Sequence, residues 1–271
     1  MGRANLTMLS FVIPAHNEEQ HLGATLAAIN AAAREVGEPF EVIVVDDAST
    51  DRTTRIAEEA QARVVQVQNR QISATRNAGA RAAKGDVLFF VDADTLVNPA
   101  AVGACLRELH NGAVGGGCAF RFDGALPVWA RILYPLAVVL SRILKLVGGC
   151  FLFCTREAFD ATGGFCERYF AGEEILFIAA LKRHGRFAVP RPTVVTSGRK
   201  LRAHSFWQII REAGRWSLIG PKAYQRRENL GIWYGERAAD AGFPPHQLFD
   251  APSGDSQVQV SIDSATDDPT R

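Results

Sequence analysis

Short runs of apolar residues alternate with segments of helical spacing through the first hundred residues. One run, residues 42–45, consists of four β-branched residues, which is typical of a strand buried on both faces of a sheet. Leu22, Leu26 and Ile29 instead recur at the spacing of one helix face. Strands that alternate with helices form parallel βαβ units, so the sequence predicts an α/β fold. The predicted strands are residues 9–14, 42–45, 64–67, 87–91 and, further along, 151–153.

Capping residues predict where the helices begin. Asn17, with Gln20 three residues later, has the arrangement of a capping box and predicts the start of the first helix. Ser49 and Asp51 are the cap candidates for a second helix that ends near residue 60. The remaining predicted helices are residues 73–83, a helix that opens with Asn98 as N-cap and Pro99 at its first position, and residues 172–186.

The composition excludes several classes of protein. The 271 residues include 30 Lys and Arg against 29 Asp and Glu, a balance that argues against a dedicated nucleic-acid binder. Hydrophobic residues make up 47% of the chain, which excludes a mostly disordered protein. The five cysteines form no C-x-x-C pair, so we expect free buried thiols rather than a zinc site or disulfides. Because the first nine residues lack the apolar run of a signal peptide, we expect a cytoplasmic protein.

Polar clusters follow three of the predicted strands. They are residues 14–18 after the first strand, Asp46 and Asp47 after the second, and Asp92 with Asp94 after the fourth. The carboxyl ends of parallel strands meet at one edge of a sheet, where ligands bind in such folds. We therefore expect these clusters to lie together. Paired carboxylates are hard ligands that suit Mg²⁺ or Mn²⁺, ions that complete their coordination with substrate phosphates.

Other polar residues are candidates for the same edge, each with a structural alternative. Asp47 could contact a base or ribose, or it could cap the next helix. Arg76, in a helix opening, could pair with a phosphate or form a surface salt bridge. One of Glu173 and Glu174 could act as a general base, or both could stabilise a helix N-terminus. His204 is a candidate third metal ligand or phosphate contact, and a surface or core histidine is its alternative.

The second half of the chain has a different character. Residues 126–147 are rich in apolar residues, and their three basic residues fall on one edge of a helix. We interpret this amphipathic segment as an in-plane membrane-contact helix, with an ordinary core or dimer helix pair as the alternative, and we expect Pro135 to kink or break it. Residues 199–237 carry a local charge of +6, and residues 250–271 are predicted to be a disordered acidic tail.

Together, these clusters resemble the family 2 glycosyltransferases with the GT-A fold, over about residues 8–200. Five motifs agree with the family in order and spacing. They are residues 12–19 (VIPAHNEE), 44–51 (VVDDASTD), 74–79 (ATRNAG), 90–95 (FVDADT), and the pair 163–165 (GGF) with 172–174 (GEE).

The resemblance implies a fold and a reaction. The fold is a GT-A-type, Rossmann-like, mixed and mostly parallel sheet flanked by helices, in one large domain. Residues 1–110 would be the nucleotide-sugar-binding half and residues 111–240 the acceptor-binding half. The reaction is a metal-dependent, inverting transfer of a sugar, of hexosyltransferase type, from a nucleotide-diphosphate sugar to a hydroxyl acceptor that is lipid-linked or a polysaccharide. Peripheral contact with the inner face of a membrane would follow from a lipid-linked acceptor.

The resemblance also assigns roles to residues. Glu174 would be the catalytic base, and the chain departs from the family here because the usual residue is aspartate. Asp94, with Asp92, would hold Mn²⁺ or Mg²⁺. The residues implied in nucleotide-sugar binding are Pro14, His16, Glu18, Asp46, Asp47, Arg76 and Asp92.

Two other functions share part of this pattern. A glycosyltransferase-like protein could bind a nucleotide sugar without turnover. A sugar-phosphate nucleotidyltransferase would need a Gly-rich, Arg-containing loop after the first strand, and residues 14–18 are not such a loop. The glycines at 115–117 lack the strand–loop–helix setting of a dinucleotide-binding fingerprint.

Overall fold

A computed structural model describes residues 8–203, together with residues 207, 208, 211 and 225. His204 and the predicted acidic tail 250–271 lie outside the described residues, as does most of the basic stretch 199–237. The strands are β1 (Leu9–Ala15), β2 (Phe40–Asp47), β3 (Arg63–Val67), β4 (Val87–Val91), β5 (Thr95–Leu96), β6 (Ala113–Gly117), β7 (Phe120–Phe122), β8 (Phe151–Thr155), β9 (Arg186–Ala188) and β10 (Val194–Thr196). The helices are α1 (Leu22–Val36), α2 (Thr53–Glu59), α3 (Ile72–Ala82), α4 (Pro99–His110), α5 (Val128–Leu144), α6 (Arg156–Thr162), α7 (Glu173–His184) and α8 (Arg199–Ala203).

The central sheet has seven strands in the order β3-β2-β1-β4-β8-β6-β9. The first four are parallel, whereas β8 runs antiparallel to both β4 and β6. This confirms the predicted mixed and mostly parallel sheet. A second sheet of three short strands, β5-β10-β7, lies beyond the end of β4 and carries the chain towards α8.

Each face of the central sheet is covered by its own apolar cluster. Phe89 on β4 stacks on Phe11 of β1 with ring centroids 4.9 Å apart, on the face that packs against α1 and α4. The next residue, Phe90, points to the opposite face and contacts Phe165 and Phe177. The alternation explains why β4 is buried throughout and reads as a continuous apolar run.

The sequence located several elements closely. Strand β4 coincides with residues 87–91, and α4 begins at Pro99 with the Asn98 side chain accepting a hydrogen bond from the amide of Ala101 at 2.9 Å. Helix α3 begins and ends one residue before the prediction. The glycines 115–117 lie in β6, where a Cβ on Gly116 would collide with the carbonyl oxygen of Ala188 and the Phe153 ring.

The predicted starts of the first two helices are wrong. Helix α1 begins at Leu22 with His21 as N-cap, and Asn17 has a positive φ of 51°. The Asn17 amide donates to Ser49 Oγ at 3.0 Å, and its side-chain oxygen accepts from the amide of Thr50 at 2.8 Å. These bonds to the segment after β2 replace the local capping box. Helix α2 begins at Thr53 with Arg52, rather than Ser49 or Asp51, as N-cap.

Helix α5 corresponds to the amphipathic segment 126–147. It is neither broken at Pro135 nor packed in the core. It is one continuous helix that passes through Pro135. Only Ala130 of its 17 residues is buried, which rules out an ordinary core helix. None of the helices within the described residues is long and apolar enough to cross a membrane.

Candidate active site

The site lies at the carboxyl edge of the parallel strands. In the register of the sheet, Ala15 at the end of β1 lies beside Asp46 at the end of β2, and β4 flanks β1 on the other side. The polar segments that follow these strands therefore leave the sheet side by side. This placement agrees with the expectation that the three clusters share one edge.

A guanidinium group joins two of the clusters. Arg199, at the start of α8, donates to both carboxylate oxygens of Glu18 at 2.7 and 3.0 Å, and its Nη2 lies 3.0 Å from Asp94 Oδ2. Burial alone would lower the pKa of Arg199, but the hydrogen bonds to Glu18 and the charge of Asp94 raise it above its ordinary value. The positively charged guanidinium of Arg199 thus lies at the edge of the sheet, between Glu18 after β1 and Asp94 after β4.

A second, fully buried arginine joins the first half of the chain to the second. Arg76 on α3 is 1% exposed, and its Nη2 donates to Asp92 Oδ1 at 2.7 Å and to the carbonyl oxygen of Gly149 at 2.9 Å. Its Nη1 donates to Glu173 Oε1 at 2.8 Å. Burial opposes the charge of Arg76, but Asp92 and Glu173 more than compensate and raise its pKa. Arg76 therefore forms a buried ion network rather than the surface salt bridge given as its alternative.

The two glutamates of the acidic pair have different environments. Glu173 is buried against Arg76, whereas Glu174 is half-buried and its Cβ faces Gly149. Burial and the neighbouring charge of Glu174 raise the pKa of Glu173 to about 7, although Arg76 opposes the shift. Glu173 is thus part of the Arg76 network, whereas Glu174 remains accessible beside it.

This raised pKa predicts a dependence of stability on pH. The folded protein holds a proton on Glu173 that the unfolded chain releases above its ordinary pKa of 4.5, so wild-type stability should fall as the pH rises from 4.5 to about 7. Residue 173 cannot titrate in Glu173→Gln. The free energy of unfolding of this variant, relative to that of the wild type, should therefore rise by about 2 kcal/mol from pH 5 to pH 7.5. Urea unfolding at the two pH values measures the difference. Glu157→Gln, which removes an exposed acid from the first turn of α6, is the matched control. A constant difference between wild type and Glu173→Gln would contradict the assignment.

The aspartates after β2 hold neighbouring loops in place. Asp46 accepts hydrogen bonds from the Ser49 amide and from Thr54 Oγ1. Asp47 accepts from the amides of Arg70 and Gln71 and from Thr75 Oγ1, which positions the entry to α3. The capping alternative for Asp47 is not observed, because α2 has Arg52 as its N-cap and the amides that bind Asp47 precede the first residue of α3. Contact of either aspartate with a base stays a prediction.

The other residues assigned to nucleotide binding line the same edge. Pro14 lies in β1 opposite Val45, and His16 follows directly after the strand. His16 Nδ1 lies 2.8 Å from the carbonyl oxygen of Asp47 and 3.3 Å from Arg70 Nη1. The exposed guanidinium of Arg70 therefore adds a positive charge beside the strand ends.

The carboxylate oxygens of Asp92 and Asp94 are suitable ligands for a divalent cation such as Mg²⁺ or Mn²⁺. Asp92 remains 29% exposed while one oxygen binds Arg76, and Asp94 remains 14% exposed while one oxygen binds Arg199. Across residues 8–203, no group of three His, Cys, Asp or Glu side chains forms a ready-made metal cluster. Two carboxylates completed by substrate phosphates are, however, the usual protein share of a Mg²⁺ site.

Sequence reasoning missed Arg70 and did not predict the contacts that Arg199 and Glu173 make in this site. Arg199 was noted only as part of a basic stretch, and its pairing with Glu18 spans 181 positions of the chain. The resemblance distinguishes Glu174 as the base, but the burial of Glu173 against Arg76 depends on the packing of α7. Arg70 carries no motif, and its positive φ of 50° depends on the loop that Asp47 holds.

The order and direction of the strands, with acidic residues at the carboxyl edge, define the GT-A fold. Comparison with solved structures agrees. Glucosyl-3-phosphoglycerate synthase from Mycobacterium tuberculosis, in complex with Mn²⁺, UDP and glucosyl-3-phosphoglycerate, has a TM-score of 0.55 at 23% identity, covering 80% of this chain and 78% of that one. A mannosyltransferase from Pyrobaculum calidifontis, in complex with GDP-Man and Mn²⁺, has a TM-score of 0.57 at 18% identity, covering 83% and 68%.

The sequence comparisons identify the family. The model of glycosyl transferase family 2 matches residues 10–165, more than half of the chain. The chain belongs to this family, as the motifs predicted. An undecaprenyl-phosphate 4-deoxy-4-formamido-L-arabinose transferase from Pseudomonas aeruginosa (strain LESB58) is 32% identical over 163 residues, which cover 56% of this chain and 48% of that protein. The chain thus aligns with about half the length of such curated relatives.

Proposed function

We propose that this glycosyltransferase moves a sugar, of the hexosyltransferase type, from a nucleotide-diphosphate sugar to the hydroxyl group of a lipid-linked or polysaccharide acceptor. One observation carries the proposal: Glu18 after β1 and Asp94 after β4 converge on the Arg199 guanidinium at the sheet edge. At the same edge Arg76 joins Asp92 to Glu173, the neighbour of the accessible Glu174. That edge has the charges needed to bind a diphosphate with its counter-ion and to accept a proton. Lipid linkage is supported by the named relatives, which are undecaprenyl-phosphate transferases.

The donor would lie along the strand ends. His16, which follows β1, and Arg70, which follows β3 and lies 3.3 Å from it, would contact the nucleoside, together with the loops that Asp46 and Asp47 hold. Arg199 is placed to turn from Glu18 and Asp94 onto the diphosphate when the donor arrives. Asp92 and Asp94 would hold a divalent ion, Mn²⁺ or Mg²⁺, which when bound neutralises charge on the leaving diphosphate.

The transfer inverts the configuration at the anomeric carbon. The bond from that carbon to the diphosphate oxygen breaks, and a bond to the acceptor oxygen forms on the opposite face. The acceptor proton passes to the Glu174 carboxylate, and the nucleoside diphosphate leaves with the bonding electron pair. Arg76 links the two halves of this machinery, because it holds Asp92 on the donor side and Glu173, next to the base, on the acceptor side.

A thermal-shift panel of UDP-, GDP- and dTDP-sugars, each with and without Mn²⁺, tests donor binding. One nucleotide class at about 100 times its Kd should stabilise the protein by about 2.7 kcal/mol, or about 5–10 °C in Tm. The shift should need Mn²⁺. Absence of a shift with all three nucleotides would contradict the proposal.

Slow hydrolysis of the bound donor separates a transferase from a protein that only binds the nucleotide sugar. A live transferase should release free sugar and nucleoside diphosphate when water replaces the acceptor, and the release should depend on the metal. A donor that binds and stays intact would favour the non-catalytic alternative.

A further inference from the structure

The proposed transfer reaction does not use the exposed face of α5. Eight apolar side chains of this helix are 48–70% exposed. They are Val128, Ile132, Leu133, Leu136, Val139, Leu140, Ile143 and Leu144. Clusters of this kind on a protein surface mark contacts with a partner or a membrane.

The helix is oriented with its apolar side directly away from the body of the protein. At 3.6 residues per turn, the exposed apolar residues occupy an arc of about 160°. Ala130, Tyr134, Val138 and Ser141 are less exposed and lie in an arc of about 80° on the opposite side, whereas the half-buried Trp129 lies within the exposed arc. Two hydrogen bonds attach the helix end to the body: Arg142 Nη2 donates to the carbonyl of Arg191 and Lys182 Nζ to that of Leu144.

The charge of this region is of one sign. Arg131 and Arg142 lie on one flank of α5, between the apolar arc and the body, and Lys145 follows at its end. The sequence contains no acidic residue between Asp123 and Glu157. An apolar arc with basic residues along its border complements a bilayer whose lipid headgroups are anionic. A second copy packed antiparallel on the same arc would instead bring both basic flanks to the same side.

We propose that α5 docks this protein side-on onto an anionic membrane surface, with the apolar arc inserted among the acyl chains. The helix leads within a few residues to Gly149, whose carbonyl binds Arg76 in the site. Docking therefore brings the acceptor side of the site to the bilayer. This inference rests on the proposed function for the identity of a lipid-linked acceptor, but the docking itself needs neither donor nor transfer.

Co-sedimentation of the full chain with vesicles tests the proposal without any substrate. The protein should bind vesicles containing phosphatidylglycerol and bind phosphatidylcholine vesicles much more weakly. Ile132→Ser combined with Leu136→Ser and Ile143→Ser should lower binding by more than about 100-fold, because three inserted side chains are lost. An unchanged partition of this variant would overturn the proposal.

The basic border is tested by Arg131→Gln with Lys145→Gln, which leaves the Arg142 anchor intact. At about fivefold per charge, this variant should bind anionic vesicles about 30-fold more weakly. Arg34→Gln with Arg107→Gln removes two exposed charges from α1 and α4 and should bind like the wild type. An equal loss in both pairs would mean general electrostatic attraction and would overturn the role of α5.

Two other occupants of the arc give different results. A second copy would appear as a dimer by light scattering that the triple serine variant converts to monomer, with no vesicle binding by the wild type. Coverage by the chain's own C-terminal residues would leave the wild type monomeric and unbound. Either result overturns membrane docking, whereas the donor thermal shift would still report on sugar transfer.

Discussion

Replacement of Asp94 by asparagine is expected to lower sugar transfer by about a thousandfold while the protein stays folded. The carboxylate lies at the sheet edge with Arg199 3.0 Å away, where the charge of a donor diphosphate would be balanced. Asparagine keeps the shape of the side chain and its ability to accept a hydrogen bond, but it removes the negative charge that holds a cation. Steady-state transfer and the Mn²⁺-dependent part of the donor thermal shift should fall together.

The chain offers a matched control for this variant. Arg202, on the same short helix as Arg199, pairs with Asp123 at 3.0 Å, and both pairs are similarly buried. Asp123→Asn therefore removes a similar ion pair and weakens the attachment of α8, but it changes no residue at the carboxyl ends of β1, β2 and β4. It should retain transfer within about tenfold of the wild type. Equal losses in the two variants would mean that Asp94 acts only by anchoring α8, and unchanged turnover in Asp94→Asn would remove it from the metal site.

The five strands that the sequence predicted are all present because their signals are local, whereas the short strands β5, β6, β7, β9 and β10 were not predicted. A continuous apolar run such as residues 87–91 needs burial on both faces, and the fold provides it. Asn98 and Pro99 fix the start of α4 for the same reason, since cap and helix lie within four residues. Once the order of strands is known, the rule that ligands bind at the carboxyl edge places the acidic clusters without further information.

Local signals failed where distant segments compete for the same groups. Asn17 has the sequence of a capping residue, yet its amide and side chain bond to Ser49 and Thr50 across the strand ends. The partners of Arg76 are 16 and 97 residues away, so neither its burial nor its commitment to Glu173 can be read from spacing. The site is therefore predictable in its strand-end acids and unpredictable in the arginines that organise them.

The two arginines suggest how the halves of the protein are coupled. Arg76 is buried and joins Asp92 to Glu173, whereas Arg199 is partly exposed and joins Asp94 to Glu18. Removal of one partner of a buried ion pair generally lowers the stability of a protein by about 3–5 kcal/mol, so the contacts of Arg76 act as a fixed link. A partly exposed ion pair exchanges partners more readily. We therefore expect Arg76 to keep the site aligned and Arg199 to contact the donor.

Glu174→Gln is expected to lower transfer to a hydroxyl acceptor by about 10²–10⁴-fold with little effect on donor affinity. Glu174 is half-buried with its Cβ against Gly149, and it is Glu173 rather than Glu174 that binds Arg76. Glutamine has the same shape and cannot accept the acceptor proton. Single-turnover transfer, compared with the thermal shift on donor binding, separates the chemical step from binding. A loss of donor affinity alone would show that Glu174 is not the base.

The size of this effect also reports on the acceptor, because a base is needed only where a proton must leave. A phosphate monoester has a second pKa of about 6 and is already ionised at neutral pH, so transfer to a lipid phosphate should fall less than about tenfold in Glu174→Gln. Glu174→Asp restores the residue that the family usually carries and should recover at least about tenfold over glutamine with a hydroxyl acceptor. A large loss with lipid phosphate would mean that Glu174 positions the acceptor rather than taking its proton.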